Sequence, residues 1–154
     1  MYENSEIKQI ALEIFGGCNY KCPMCPQVAG CESGFRGKFP FDIFKTIIDE
    51  CKYHGVEVVS LQGSGEPTLL PDMHLYVEYA KDAGLKVITL TNGFHLNEVK
   101  SKDLISAGLD SLRVSAIGYD QETYYKWMSK DAFHKVRDQV IKFIELNEQL
   151  QGKT

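Results

Sequence analysis

Apolar positions along this chain follow two periods. Four short apolar segments, Ile10–Phe15, Val56–Leu61, Lys86–Thr91 and Leu112–Ser115, have the length and character of buried strands. The stretches between them repeat every three to four residues, as one face of a helix does. Phe41, Phe44, Ile47, Ile48 and Cys51 share one such face, and Met73, Val77 and Ala80 share a second. Phe133, Val136, Val140, Phe143 and Ile144 form the last, and a fainter stripe covers Asn97 to Ala107.

Three of the helical stretches end alike. Tyr53-His54-Gly55-Val56, Asp82-Ala83-Gly84-Leu85 and Ser106-Ala107-Gly108-Leu109 each put glycine where a left-handed helix stop belongs. Each glycine leads straight into the next apolar segment. A repeating helix–glycine–strand unit predicts an α/β fold with a parallel sheet and right-handed crossovers. About four parallel βα units are countable in a single domain over residues 1–154.

In such a fold the loops after the strands gather on one side. After the first strand comes Cys18-Asn19-Tyr20-Lys21-Cys22-Pro23-Met24-Cys25, and after the second Gln62-Gly63-Ser64-Gly65-Glu66-Pro67. Thr91-Asn92-Gly93 follows the third, and Ala116-Ile117-Gly118 the fourth. The topology therefore predicts one site fed by four loops.

Composition narrows what that site serves. A net charge of −4 and a pI near 5.6 exclude a broad nucleic-acid surface, which needs a basic stripe. The polar, acidic start Met1-Tyr2-Glu3-Asn4-Ser5-Glu6 is no signal peptide, and no apolar run reaches the roughly 20 residues of a membrane helix. Five cysteines, three of them within eight residues, point to metal in a reducing, cytoplasmic setting rather than to disulfides.

Three thiolates can hold three corners of a cubane iron–sulfur cluster and leave one iron open. Zinc would need a fourth ligand, either Cys31 or a distant histidine. Ferredoxin spacings are Cys-x₂-Cys-x₂-Cys or Cys-x₄-Cys-x₂-Cys, whereas here the run is Cys-x₃-Cys-x₂-Cys. Cys31 reads as a loop thiol and Cys51 as a small core residue.

That cysteine run, followed by Gly65-Glu66-Pro67 after the second strand, resembles the radical S-adenosylmethionine (radical SAM) superfamily, and most of the chain shares the likeness. The resemblance implies a truncated partial (β/α) barrel, TIM-barrel-like, in place of the family's six units. It implies an enzyme in which Cys18, Cys22 and Cys25 bind a 4Fe–4S cluster whose fourth iron chelates S-adenosylmethionine. Reductive cleavage would then give a 5′-deoxyadenosyl radical for hydrogen abstraction. By the same resemblance Gly63, Ser64, Gly65 and Glu66 face the cofactor's amino group, with Ser64 where many members have glycine. Asn92 and Ser115 would reach its carboxylate and ribose, and Met24 its adenine.

The implied partners are a reducing flavodoxin- or ferredoxin-type donor and an unknown substrate, with peptide- and protein-modifying members the nearest in organisation. The alternative is a non-catalytic 4Fe–4S carrier, or a subunit of a split radical SAM enzyme. A zinc-stabilised interaction module is a third reading. Lys8, Lys21, Arg36 and Lys38 put positive charge near the cysteines and are candidates for docking the donor. His95 reads as a solvated loop residue, and Tyr119, Tyr124, Tyr125 and Trp127 as helix-packing residues. With four units, the last strand has an unpaired edge. The chain then reads as a piece of a larger protein, half of a split enzyme with a completing subunit, or a compact homodimer.

Overall fold

The structure, a computed structural model, describes residues 7–28, 36–150 and Thr154. Four strands, β1 (Gln9–Ala11), β2 (Val58–Leu61), β3 (Lys86–Thr91) and β4 (Ser111–Val114), form one sheet in the order β1-β2-β3-β4. Every pairing is parallel, with Ile10 opposite Val59, Val59 opposite Val87 and Thr89 opposite Leu112. Helices α1 (Phe41–Tyr53), α2 (Met73–Asp82) and α3 (Glu98–Ser106) make the crossovers, and α4 (Gln121–Met128) and α5 (Phe133–Gln149) follow β4. This is the parallel α/β arrangement of four units that the βα rhythm predicts, and it has the partial-barrel order that the resemblance implies.

The core forms where the apolar helix faces meet the sheet. Phe44 and Ile48 of α1, Met73, Tyr76 and Val77 of α2, and Leu104 of α3 are fully buried with Val59, Leu61 and Val87. Each such side chain contributes roughly 1.5–3 kcal/mol by leaving water. A second, smaller core joins Tyr20 of the cysteine loop to Tyr124, Met128, Ala132 and Val136.

The three glycine stops are all in the left-handed region, Gly55 at φ 76°, Gly84 at 91° and Gly108 at 81°. In each, the residue after glycine donates its N–H back to a carbonyl of the last turn: Val56 to Cys51, Leu85 to Ala80 and Leu109 to Leu104. These closures turn the chain directly into β2, β3 and β4.

Strand lengths differ from the apolar runs. The first run, Ile10–Phe15, yields a strand only to Ala11. Leu12 still donates to the Ser60 carbonyl, but Ile14 turns into the core and Phe15 forms an antiparallel bridge with Lys38. Val56 belongs to the α1 stop, so β2 starts at Val58, and β4 ends at Val114 rather than Ser115.

The region after β4 also departs from expectation. It forms a separate helix, α4, started by a capping box in which the Asp120 carboxylate accepts from the Thr123 backbone and hydroxyl. Only Tyr124 of the aromatic group packs inward; Tyr119 in the loop before α4, and Tyr125 and Trp127 on its outer face, stay exposed. Cys51 is buried as expected, and Cys31 lies outside the described residues. Among the described residues no helix is long and apolar enough to cross a membrane.

Candidate cofactor-binding site

The loops after the strands close round one cavity of about 200 Å³. Its wall contains Cys18, Cys22, Met24 and Cys25 from the first loop and Gly63, Ser64, Gly65 and Glu66 from the second. Asn92 from the third and Ser115 from the end of β4 complete the set that the sequence singles out. All ten residues therefore share one cavity. Leu90, Ile117, Tyr20 and Met128, which the sequence did not point to, line it as well.

The first two loops are locked together by backbone contact. The Glu66 N–H donates to the Gly17 carbonyl at 2.7 Å, and the Gly65 N–H donates to Glu13 Oε1 at 2.8 Å. A Cβ on Gly65 would lie 1.9 Å from the Phe15 carbonyl oxygen, and one on Gly63 would strike the Glu13 side chain at 2.6 Å. Glycine is required at both positions so that the loops can approach. Glu13 has no signature in the sequence, where it is a lone polar residue in an apolar run.

Glu66 holds the next pair of loops. It is only 3% exposed. Its Oε1 accepts from the Thr68 N–H at 3.0 Å and from the Thr68 and Thr91 hydroxyls at 2.5 and 2.6 Å. Its Oε2 accepts from the Asn92 N–H at 2.6 Å. The carboxylate thus ties the end of β3 to the loop after β2 and borders the cavity from behind that bond network.

Asn92 continues the network toward the thiols. Its Nδ2 donates to Asn19 Oδ1 at 2.8 Å and approaches Cys18 Sγ at 4.0 Å, while its Oδ1 accepts from the Phe94 N–H. Ser115 is tied to β3 through its N–H and hydroxyl, which both reach the Thr91 carbonyl. Met24 stands 43% exposed at the rim.

The thiols themselves are unpaired. Cys18 lies at the cavity mouth, yet crowding by the surrounding loops desolvates its sulfur and raises its pKa, with the Glu66 and Cys25 charges adding to the rise. Burial likewise raises Cys22, followed by the Cys18 and Cys25 charges. The Tyr20 N–H donates to Cys18 Sγ at 3.4 Å, and Cys22 Sγ donates to the Met128 carbonyl at 3.5 Å. Among the described residues, no three Cys, His, Asp or Glu side chains already converge on a point able to hold one ion.

The donor set decides which group fits. Among the described residues, three thiols and no other cysteine or histidine line the cavity. Soft thiolates suit an iron–sulfur cluster, and three of them leave one iron without a protein ligand. A closed zinc site would require a fourth protein ligand; among the described residues the wall adds only Glu66, whose two oxygens are already taken by Thr68, Thr91 and Asn92.

The family model of the Radical SAM superfamily matches residues 12–147. The chain belongs to the radical SAM superfamily. Its members use a 4Fe–4S cluster together with S-adenosylmethionine. The chain is 37% identical over 115 residues to the AdoMet-dependent heme synthase of Methanosarcina barkeri, covering 75% of this chain and 32% of that protein. It is 30% identical over 141 residues to a probable GTP 3′,8-cyclase of Methanococcus maripaludis, covering 92% and 47%. Streptococcus suis SuiB bound to S-adenosylmethionine shares the fold, with a TM-score of 0.76 at 19% identity over 96% of this chain and 33% of SuiB. The radical SAM chain described here thus spans a third to a half of the length of these relatives.

Proposed function

We propose that this chain is the cofactor-binding core of an enzyme that cleaves S-adenosylmethionine reductively and directs the resulting 5′-deoxyadenosyl radical at a substrate hydrogen. The supporting observation is the single cavity shared by the three thiols and the second, third and fourth loops. Cys18, Cys22 and Cys25 hold the cluster, which supplies the electron when reduced. The backbone of Gly63, Ser64 and Gly65 faces the cofactor's amino group, since neither glycine has a side chain to block the approach. Glu66 acts through its bonds to Thr68, Thr91 and Asn92, holding the loops at the spacing the cofactor needs. Ser115 and Asn92 offer polar groups to the carboxylate and ribose, and Met24 an apolar edge to the adenine. Leu90, Ile117 and Met128 give the wall an apolar stretch beside these polar groups.

A peptide or protein substrate is the finer reading. It draws on SuiB, which has also been crystallised with the precursor peptide SuiA. The remainder of the substrate pocket then comes from protein beyond these four units. The chain would work in the cytoplasm, where thiols stay reduced.

The test is anaerobic reconstitution with iron and sulfide, followed by reduction, addition of S-adenosylmethionine and assay for 5′-deoxyadenosine. We expect about four irons per chain and 5′-deoxyadenosine, with Cys22→Ala losing both. A brown four-iron protein that yields no 5′-deoxyadenosine would favour the carrier reading. A colourless protein that retains zinc would sink both iron readings.

A further inference from the structure

Several lysines in this acidic protein are neutralised locally. Lys8 pairs with Glu57, Lys38 with Asp72, Lys81 with Asp110 and Lys102 with Glu98. Lys8 and Lys38 were two of the four cations that the sequence offered as a docking surface. Their charge is offset within the chain, which weakens that candidate surface without touching Lys21 or Arg36.

A different group of cations has no such partner. Lys130 lies in the turn between α4 and α5 and Lys135 in the first turn of α5, and among the described residues neither has a carboxylate within ion-pair distance. Both ammonium groups lie against one ring: Lys135 Nζ is 3.5 Å from the Phe94 centroid and Lys130 Nζ is 5.1 Å from it. Lys130 also sits over Tyr20 and donates to the Asn19 carbonyl, one residue from Cys18. The carboxylate nearest in sequence, Asp131, takes a hydrogen bond from Gln121 instead. Two like charges over one ring repel each other, and among the described residues no carboxylate pairs with either.

His95, beside Phe94, registers the same field. Its imidazole is held below its ordinary value first by burial and then by the charges of Lys135, Lys100 and Lys130, against an opposing pull from Glu66. This face is therefore cationic on a molecule whose net charge is −4.

Its position excludes a role in holding the reactants. None of Phe94, His95, Lys130 or Lys135 lines the cavity, whereas Tyr20, on which Lys130 rests, does. An occupant here would touch the outer side of the cysteine loop while leaving the cavity mouth clear. A redox partner needs that placement: close to the thiols and outside the space where the cofactor reacts.

We propose that the Phe94–Lys130–Lys135 face docks an acidic one-electron carrier protein, which reduces the cluster held by Cys18, Cys22 and Cys25. The proposal rests on the function given above. In the step, the reduced carrier loses one electron and the oxidised cluster gains it, with no bond made or broken. Charge complementarity steers the encounter, and the exposed part of Phe94 gives an apolar contact at its centre.

The test uses cluster-loaded protein and follows cluster bleaching by stopped-flow absorbance. One reductant is an acidic flavodoxin in its hydroquinone form; the other is a photogenerated neutral deazaflavin radical. We expect the flavodoxin rate to fall with added salt in the parent protein. Lys130→Glu/Lys135→Glu should lower it about tenfold or more at low salt, with iron content and the deazaflavin rate unchanged. Lys135→Glu alone, which leaves the Lys130 contact to the cysteine loop intact, should give a smaller loss in the same direction. A salt-independent flavodoxin rate, or a double variant that is reduced as fast as the parent, would overturn the proposal. Because bleaching is read before any cofactor cleavage, a protein that is reduced normally but makes no 5′-deoxyadenosine counts against the proposed function alone.

Discussion

Glu66 is a buried carboxylate with no ion pair among the described residues, and hydrogen bonds make its burial tolerable. Four donors, two N–H groups and two hydroxyls, take up both oxygens. In Glu66→Gln, an amide oxygen left toward Thr68 and Thr91 turns the amide nitrogen onto the Asn92 N–H, donor against donor. The opposite flip faces the nitrogen to the Thr68 N–H. Either orientation leaves a buried group unsatisfied, at a cost of about 1–3 kcal/mol. The expected result is a lower melting temperature of the cluster-free protein, by about 2–4 °C for each kcal/mol lost. An unchanged melting temperature in the absence of cluster and cofactor would refute this structural role and leave only contact with the cofactor. The same residue shows why the site was partly hidden in the sequence. Gly65-Glu66-Pro67 marks a ligand loop, but nothing local reveals that Thr91 and Asn92, some 25 residues on, aim their donors at that carboxylate.

Among the elements, α4 holds the cysteine loop through Tyr124 and Met128. The Tyr20 and Tyr124 hydroxyls meet at 2.9 Å in a buried contact, and burial with that hydrogen bond drives the Tyr20 pKa sharply upward. Tyr20→Phe or Tyr124→Phe alone strands a buried hydroxyl, whereas the double variant strands none. Urea unfolding of the cluster-free protein should therefore give single losses of about 1 kcal/mol each and a double loss clearly below their sum. Strict additivity would mean that the two hydroxyls are not coupled. Legibility from sequence follows the same division into elements. The ends of α1, α2 and α3 were readable because glycine in a left-handed stop is a local signal. The first strand was overdrawn because Leu12 to Phe15 is apolar for a different reason, namely contact with the core and the Lys38 bridge. Helix α4 was not drawn because Tyr125 and Trp127 point outward between inward Tyr124 and Met128, and Thr123 replaces the usual acidic partner in the capping box. The cationic face was invisible for a related reason: Lys130 and Lys135 meet Phe94 only once α5 packs beside the loop after β3.

For the molecule as a whole, the question is whether the fold needs its cluster. Small metal domains such as zinc fingers unfold when stripped, because their ligands stand in for a core. Here the main core is assembled from the sheet and from α1, α2, α3 and α5, and it contains none of the three site thiols. The cysteine loop is itself held by protein contacts: Glu66 N–H to the Gly17 carbonyl, Gln27 to the Gly16 carbonyl, Asn92 to Asn19, and Tyr20 to Tyr124. A chain of 154 residues has enough interior to be stable on that basis. Cluster binding then adds stability by mass action, acting on a site whose walls already exist. Chelator-stripped protein should keep the far-ultraviolet circular dichroism of the loaded form and unfold in one cooperative urea transition, with only its midpoint lowered. Loss of the cooperative transition on stripping would show that the thiols and their cluster form part of the core, and that the contacts holding the empty cysteine loop are too weak to define it.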